Sequence, residues 1–240
     1  MLPVAILAGG VATRLGELAR TIPKSLVEVA GKPFIDHQLA LLRGSGVTDV
    51  VLCVGHLGQQ IEAHLGDGAR FGLRIQYSYD GPALIGTGGA LRHALQRLGQ
   101  AFLVLYGDSY LECDYAAVER AFLASGRPAL LTIVRNQNQW DRSNVHYVDG
   151  QITRYSKSGQ VLGMQHIDYG LSAMKAQVMD RYRDRDAFDL AAIYEDLVSS
   201  RELAVLEMTT RFYEVGTPAG LAETREYISR LQPASHARAR

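Results

Sequence analysis

The stretch Val4–His37, VAILAGGVATRLGELARTIPKSLVEVAGKPFIDH, opens on an apolar run, Val4 to Leu7, that breaks at Gly9-Gly10. Thr13 and Arg14 follow, and Lys24, preceded by Pro23, comes ten residues after Arg14. A glycine pair at the end of a strand lets backbone N–H groups approach phosphate oxygens, and a guanidinium and an ammonium nearby neutralise them. Alone, Gly9-Gly10 would read as a plain strand-to-loop turn. With Arg14, Pro23 and Lys24 in register it reads as a loop that wraps a polyphosphate. It is neither a Walker loop nor a dinucleotide fingerprint, because G-K-[ST] and the third glycine are both missing.

Outward from this loop, apolar β-type runs alternate with stretches of helical period. Strands are predicted at Val4–Leu7, Val50–Val54, Arg74–Tyr79 and Phe102–Tyr106. Helices are predicted at Pro33–Arg43, Leu57–Leu65, Gly88–Leu98 and Asp114–Ala124, with Pro33 in a first turn and Asp114 as a cap. This alternation marks a parallel sheet covered on both faces, with a site at the carboxyl ends of its strands. After a strand at Ala129–Val134 the rhythm changes. Val145–Val148 and Ile152–Tyr155 flank Asp149-Gly150, a hairpin signal. An extended run at His166–Met174, helical stretches near 175–183 and 189–200, strands at Leu203–Met208 and Phe212–Val215 and a helix at Pro218–Leu231 follow. No repeat, linker or break divides the chain. The expectation is one domain over residues 1–231 with a frayed tail at 232–240 and no left-handed β-helix.

The opening stretch resembles the signature G-G-x-G-T-R-L…P-K of the sugar-1-phosphate nucleotidyltransferases, with Ala12 in place of the third glycine. The resemblance runs in order from Val4 to about Tyr227, and the chain looks most like heptose-1-phosphate guanylyltransferases and N-acetylmuramate-1-phosphate uridylyltransferases. It implies a Rossmann-like three-layer α/β/α fold with a mostly parallel central sheet, of the nucleotide-diphospho-sugar transferase type. It also implies the reaction NTP + sugar 1-phosphate → NDP-sugar + pyrophosphate. Arg14 and Lys24 are then the catalytic cations. Leu7, Ala8, Gly9, Gly10, Thr13, Asp80, Gly86 and Asp108 would hold the nucleotide. Mg²⁺ is the implied cofactor, on Asp108 and Glu214; glutamate stands where the family has aspartate, a hard oxygen ligand on a longer arm.

Further segments take part. LIGTGGAL, Leu84–Leu91, sets Gly86, Thr87, Gly88 and Gly89 at a helix entrance, where exposed N–H groups meet a ligand; its other reading is a Thr87 cap with turn glycines. RYSKSG brings Lys157 toward the sugar phosphate, with Ser156 where the family carries glutamate. As a plain residue, Lys157 reads equally well as a solvated strand-end lysine. In HIDYGLSAM, Gly170 matches the family and Asp168 replaces asparagine, an acceptor for a sugar hydroxyl. These departures point to an unusual acceptor, with phosphocholine or another small phosphate ester as the alternative. A non-catalytic nucleotide-sugar sensor is the rival from another class. Asp80 falls near the base-reading position, and a carboxylate there accepts from guanine N1–H and its amine together. GTP is therefore the first expectation, against an exposed turn aspartate in the Asp80-Gly81 pair.

Composition fits a soluble enzyme: 240 residues, 47% hydrophobic, 21% charged, and a net charge of zero. No basic field advertises nucleic acid or an anionic membrane. Two cysteines, Cys53 and Cys113, make neither a disulfide framework nor a metal knuckle. With no spanning run and no basic leader, a cytoplasmic location is expected. Oligomeric state is not legible, a homodimer included.

Overall fold

Val4–Leu7 is the first strand, β1, of the computed structural model, which describes residues 1–11, 14, 21–157 and 163–231. Next come the short strands β2 (Glu28–Val29) and β3 (Lys32–Pro33), then α1 (Phe34–Gly44), β4 (Asp49–Val54), α2 (Gly58–Leu65), β5 (Arg74–Tyr79), α3 (Gly86–Leu98) and β6 (Ala101–Tyr106). The second half holds β7 (Ser109–Tyr110), α4 (Tyr115–Ser125), β8 (Ala129–Arg135), β9 (Val145–Val148), β10 (Gln151–Tyr155) and β11 (His166–Lys175). It closes with α5 (Leu190–Ser199), β12 (Leu203–Met208), β13 (Tyr213–Glu214) and α6 (Pro218–Leu231). Residues 232–240, read as a frayed tail, lie outside the described residues.

The strands alternate between two cores with period two. Val4, Ile6, Leu52, Leu103 and Leu105 face one cluster, packed by Ile35 and Leu39 of α1, Ile61 of α2 and Phe122 of α4. Ala5, Val51, Cys53, Phe102 and Val104 face the other, packed by Leu91 and Ala94 of α3 and Ile193 and Leu197 of α5. Helices on both faces leave no strand side for water, which is why these strands read as unbroken apolar runs. Burial pushes the Cys53 thiol up to about 12, as expected of a small core hydrophobe.

β6, β1, β4 and β5 run parallel in that order. β11 enters antiparallel beside β6 and pairs antiparallel with β8, which carries β12 in parallel. The β9–β10 hairpin hangs on the start of β11, where His166 pairs with Val145. Its turn residues Asp149 and Gly150 both have positive φ, 49° and 78°, as the hairpin signal requires. Asp114 caps α4, accepting from the Ala117 N–H at 2.9 Å.

Two elements differ from expectation. The stretch near 175–183 is a 3-10 helix, Ala176–Tyr182, whose buried Val178, Met179 and Tyr182 imitate an α period in a connector. The predicted strand Phe212–Val215 shrinks to β13, which pairs with β7 outside the main sheet. Among the described residues no helix is long and apolar enough to cross a membrane.

Candidate active site

The carboxyl ends of β1 and β6 open into a cavity of about 420 Å³, lined in part by Leu7, Ala8, Gly9, Gly10, Arg14 and Lys24. Ala8 and Gly107 extend the parallel pairing, their N–H groups donating to Cys53 O (2.8 Å) and Leu7 O (3.0 Å). The Gly10 backbone is open on its Cβ side. Ala12 and Thr13 lie outside the described residues.

Asp80 lies beneath this loop. Its Oδ2 is 3.0 Å from the position a Cβ on Gly9 would occupy, it is 8% exposed, and it lines the same cavity. The exposed turn aspartate is therefore ruled out. Burial raises its carboxyl above the usual range. Among the described residues, Asp80 Oδ1 and Ser25 Oγ are buried without a hydrogen-bond partner, and both residues line the cavity. Polar atoms orphaned in the wall of one cavity are hydrogen-bonding groups that the surrounding packing leaves unused. Ser25 carries no signal in the sequence beyond its place after Pro23-Lys24.

Asp108 follows β6 and is fixed from two sides. Gln38, from α1, donates its amide to the carbonyls of Tyr106 (3.1 Å) and Ser109 (2.7 Å). The Asp108 carbonyl accepts from Val215 N–H at 2.9 Å, and β7 pairs Ser109 with Glu214 of β13. This ribbon, not a shared sheet edge, brings Asp108 and Glu214 together. Around the point where a Cβ on Gly216 would stand, Asp108 Oδ2 is at 3.0 Å, Glu214 Oε2 at 3.2 Å and Arg14 Nη2 at 3.3 Å. Lys24 Nζ sits on Asp108 Oδ2 at 2.6 Å. Burial, and then the Asp108 charge, raise the Glu214 carboxyl, while Arg14 and Lys24 pull it down. Two converging carboxylates suit a hard divalent cation such as Mg²⁺. Among the described residues no third His, Cys, Asp or Glu joins them, so phosphate and water would complete its shell.

The entrance of α3 departs from expectation. Gly88, read as exposing its N–H to a ligand, donates it to the Phe188 carbonyl at 2.9 Å, and Gly89 donates to the same oxygen at 3.2 Å. A Cβ on Gly88 would run into the Phe188 ring, and one on Gly86 would come within 2.5 Å of the Phe188 carbonyl. These glycines admit the Phe188 strap. Gly86 and Thr87 still line the cavity; Gly88 does not. Thr87 is no cap either: its hydroxyl accepts from Leu190 N–H (2.8 Å) and faces Asp189 Oδ1 (3.4 Å). The other Asp189 oxygen holds Lys157 Nζ at 2.8 Å, and that contact lowers the Asp189 carboxyl. Asp189 stands at the entrance of α5, yet its side chain caps nothing there.

Beyond Lys157 lies an adjoining cavity of about 240 Å³, which shares Thr87, Tyr106, Asp108 and Lys157 with the first. Gly170 has φ +97° at a break in the β11–β8 register, a conformation that favours glycine. The break turns Asp168 toward this cavity. Its Oδ1 accepts from Gly170 N–H (2.9 Å), and its Oδ2 from the hydroxyls of Tyr155 (3.2 Å) and Tyr106 (3.4 Å). Burial raises the Asp168 carboxyl to about 6 against these hydrogen bonds. Neither tyrosine carried a sequence signal, since each reads as a strand-end aromatic.

The nucleotidyl transferase family model matches residues 4–144. The N-acetylmuramate alpha-1-phosphate uridylyltransferase of Neisseria meningitidis serogroup B is 31% identical over 229 residues, covering 92% of this chain and 95% of that protein. Mannose-1-phosphate guanyltransferase beta-A of Xenopus laevis is 28% identical over 219 residues, covering 89% of this chain and 61% of that longer protein. The fold matches a Bacillus anthracis protein described provisionally as a glucose-1-phosphate thymidylyltransferase, in complex with a sucrose (TM-score 0.86, 20% identity, 97% of each chain). It also matches HddC of Yersinia pseudotuberculosis, complexed with GMP-PN (TM-score 0.76, 22% identity, 95% of this chain and 100% of that one).

Proposed function

Since the chain belongs to the nucleotidyl transferase family, we propose that it transfers a nucleoside monophosphate from an NTP to a sugar 1-phosphate, releasing pyrophosphate. One observation carries this reading: Arg14, Lys24, Asp108 and Glu214 converge on the seam where the two cavities meet. A triphosphate laid along Gly9-Gly10 puts its α-phosphate at that seam, and an acceptor in the second cavity reaches it from the other side. Both reactants are anions, so the protein's work is to screen repulsion and hold the attack in line. Arg14 meets the charge of the triphosphate and the departing pyrophosphate. Lys24, now on Asp108, is placed to bridge the α-phosphate and the incoming phosphate. Mg²⁺, held by Asp108 and Glu214, would supply charge neutralisation at the α-phosphate. A sugar phosphate is already ionised at neutral pH, so no general base is needed.

GTP is the proposed donor. Asp80, a carboxylate in the cavity wall, is the group that would accept from guanine's N1–H and amine. The guanyltransferase relative supports this base and the uridylyltransferase relative supports UTP. The aromatic residues Tyr106, Tyr155 and Phe212 beside Asp168 favour a second acceptor, a small cationic phosphate ester such as phosphocholine. Pyrophosphate release from four NTPs, each paired with sugar 1-phosphates and phosphocholine, tests all of this. Preference for UTP, CTP or dTTP overturns the base, and no release with any pair overturns the activity.

A further inference from the structure

β13, which carries Glu214, is two residues long and pairs with the equally short β7 outside the main sheet. A ribbon of that length has little stability of its own, so side chains must hold it in place. Arg211, three residues ahead of Glu214, stands at the centre of those contacts. Its guanidinium lies over the Trp140 ring at 5.3 Å and over the Tyr213 ring at 4.8 Å. The Tyr213 ring stacks in turn on Tyr227 of α6, with centroids 3.9 Å apart. Arg211 Nη2 pairs with Glu223 of the same helix. Among the described residues its Nε is buried without a partner, so stacking and one carboxylate place this guanidinium, not a full set of hydrogen bonds. Trp140 belongs to a turn closed on itself. The Asn136 amide donates to Asp141 O (2.6 Å) and Ser143 Oγ (3.0 Å), and its Oδ1 accepts from Trp140 N–H (3.2 Å). The Trp140 ring is the turn's link to the β13 side, meeting the Phe212 ring edge-on at 6.0 Å as well as Arg211.

Resting on the nucleotidyltransfer reading above, we propose that Arg211 is a positioning residue for Glu214: a planar cation clamped between the Trp140 turn and β13 that fixes where the Glu214 carboxylate reaches. Glutamate has one more rotatable bond than aspartate, so its oxygens spread over a wider arc unless the backbone beneath is held. Mg²⁺ accepts little error, since it demands near-octahedral oxygen ligands at short range. On the far side of Glu214 the backbone is already pinned, by Val215 N–H on Asp108 O (2.9 Å) and by the Thr224 hydroxyl on Glu214 O (2.8 Å). Arg211 pins the near side. A guanidinium suits the place because it can lie against two rings while its edge meets a carboxylate. A lysine, a point charge on a flexible stem, could keep the pair with Glu223 but not the stack. Residues that orient a metal ligand act on metal affinity far more than on the core around them.

Two substitutions in the full chain separate positioning from bulk stability: Arg211→Lys, which keeps the charge and loses the planar stack, and Trp140→Leu, which removes one face of the clamp. Mg²⁺ is titrated in two ways. One follows pyrophosphate release with saturating NTP and acceptor. The other follows the rise in thermal midpoint with a saturating α,β-methylene analogue of that NTP, which needs no turnover. Each variant should require ~10-fold or more Mg²⁺ for the half-maximal response in both titrations. With Mg²⁺ saturating, KM for the acceptor should stay within about 2-fold of wild type, because Arg211 touches neither reactant. A lowered thermal midpoint with an unchanged Mg²⁺ requirement in both variants would make Arg211 a packing residue and overturn this inference, leaving nucleotidyltransfer intact. So would a rise in acceptor KM with no change in Mg²⁺ requirement. A wild-type chain that releases no pyrophosphate with any pair, or works without a divalent ion, overturns the reading on which this one rests.

Discussion

Arg14 and Lys24 supply charge where it develops during phosphoryl transfer, and neither holds the core together. Lys24→Ala and Arg14→Ala should each lower kcat by roughly 10²-fold or more with the thermal midpoint nearly unchanged, because lost transition-state electrostatics costs rate, not packing. At the carboxylate pair, Asp108→Asn and Glu214→Gln should remove most activity, whereas Glu214→Asp should retain part of it as the shorter homologous ligand. Near wild-type turnover of Glu214→Gln would remove Glu214 from the metal. Asp168 makes a separate, titratable prediction. Its folded carboxyl, at about 6, lies above the ordinary 3.8, so the native state binds the proton more tightly than the unfolded chain. Stability from the neutral form is complete below pH 3.8 and lost as pH rises through about 6, a loss on the order of 3 kcal/mol. Asp168→Asn cannot undergo that loss. Its denaturation free energy relative to wild type should therefore shift in the variant's favour between about pH 3.5 and 7; no shift would show that Asp168 titrates normally.

The working parts sit between the long elements, in short pieces with little local signal. The β7–β13 ribbon is two residues a side, yet it brings Glu214 to Asp108. The strap at Phe188 takes the N–H groups of Gly88 and Gly89 and carries Asp189 to Thr87 and Lys157. Gly88→Ala should push the strap off α3, costing about 1–3 kcal/mol of stability, as overpacking does. Because the strap holds Lys157, the same change should raise KM for the acceptor more than KM for the NTP. Gly170→Ala tests the register break: a side chain at φ +97° meeting Ser109 Oγ at 2.9 Å should destabilise by about 1–3 kcal/mol. Equal acceptor and NTP effects in Gly88→Ala would deny the strap its role on the acceptor side.

Across the whole chain, the two cavities form one cleft whose walls come from both halves: the glycine loop and Asp80 on one side, Asp168 and Glu214 on the other. A ligand spanning the seam binds only the folded arrangement and stabilises it by mass action. Mg²⁺ with a non-hydrolysable GTP analogue at about a hundred times its Kd should add roughly 3 kcal/mol, a rise in thermal midpoint of roughly 5–10 °C. Chelating the metal should abolish most of that rise in wild type, and Glu214→Gln should already lack it. A full rise with EDTA present would show that nucleotide binds without the metal.

The layered α/β frame was legible from the residues alone, because strands covered on both faces must be apolar throughout and helices packed on one side must repeat near 3.6. The phosphate loop was legible as well. Gly9, Gly10, Arg14 and Lys24 follow closely on one another along the chain, so their pattern survives in a single short stretch. The remainder came from folding in three dimensions. That the α3 glycines serve Phe188, that Asp80 is buried with one oxygen unpaired among the described residues, and that Tyr106 and Tyr155 share Asp168 are outcomes of contact between distant segments. Periodicity reports which face of an element is buried, and it carries no record of which far-off side chain will complete a hydrogen bond there.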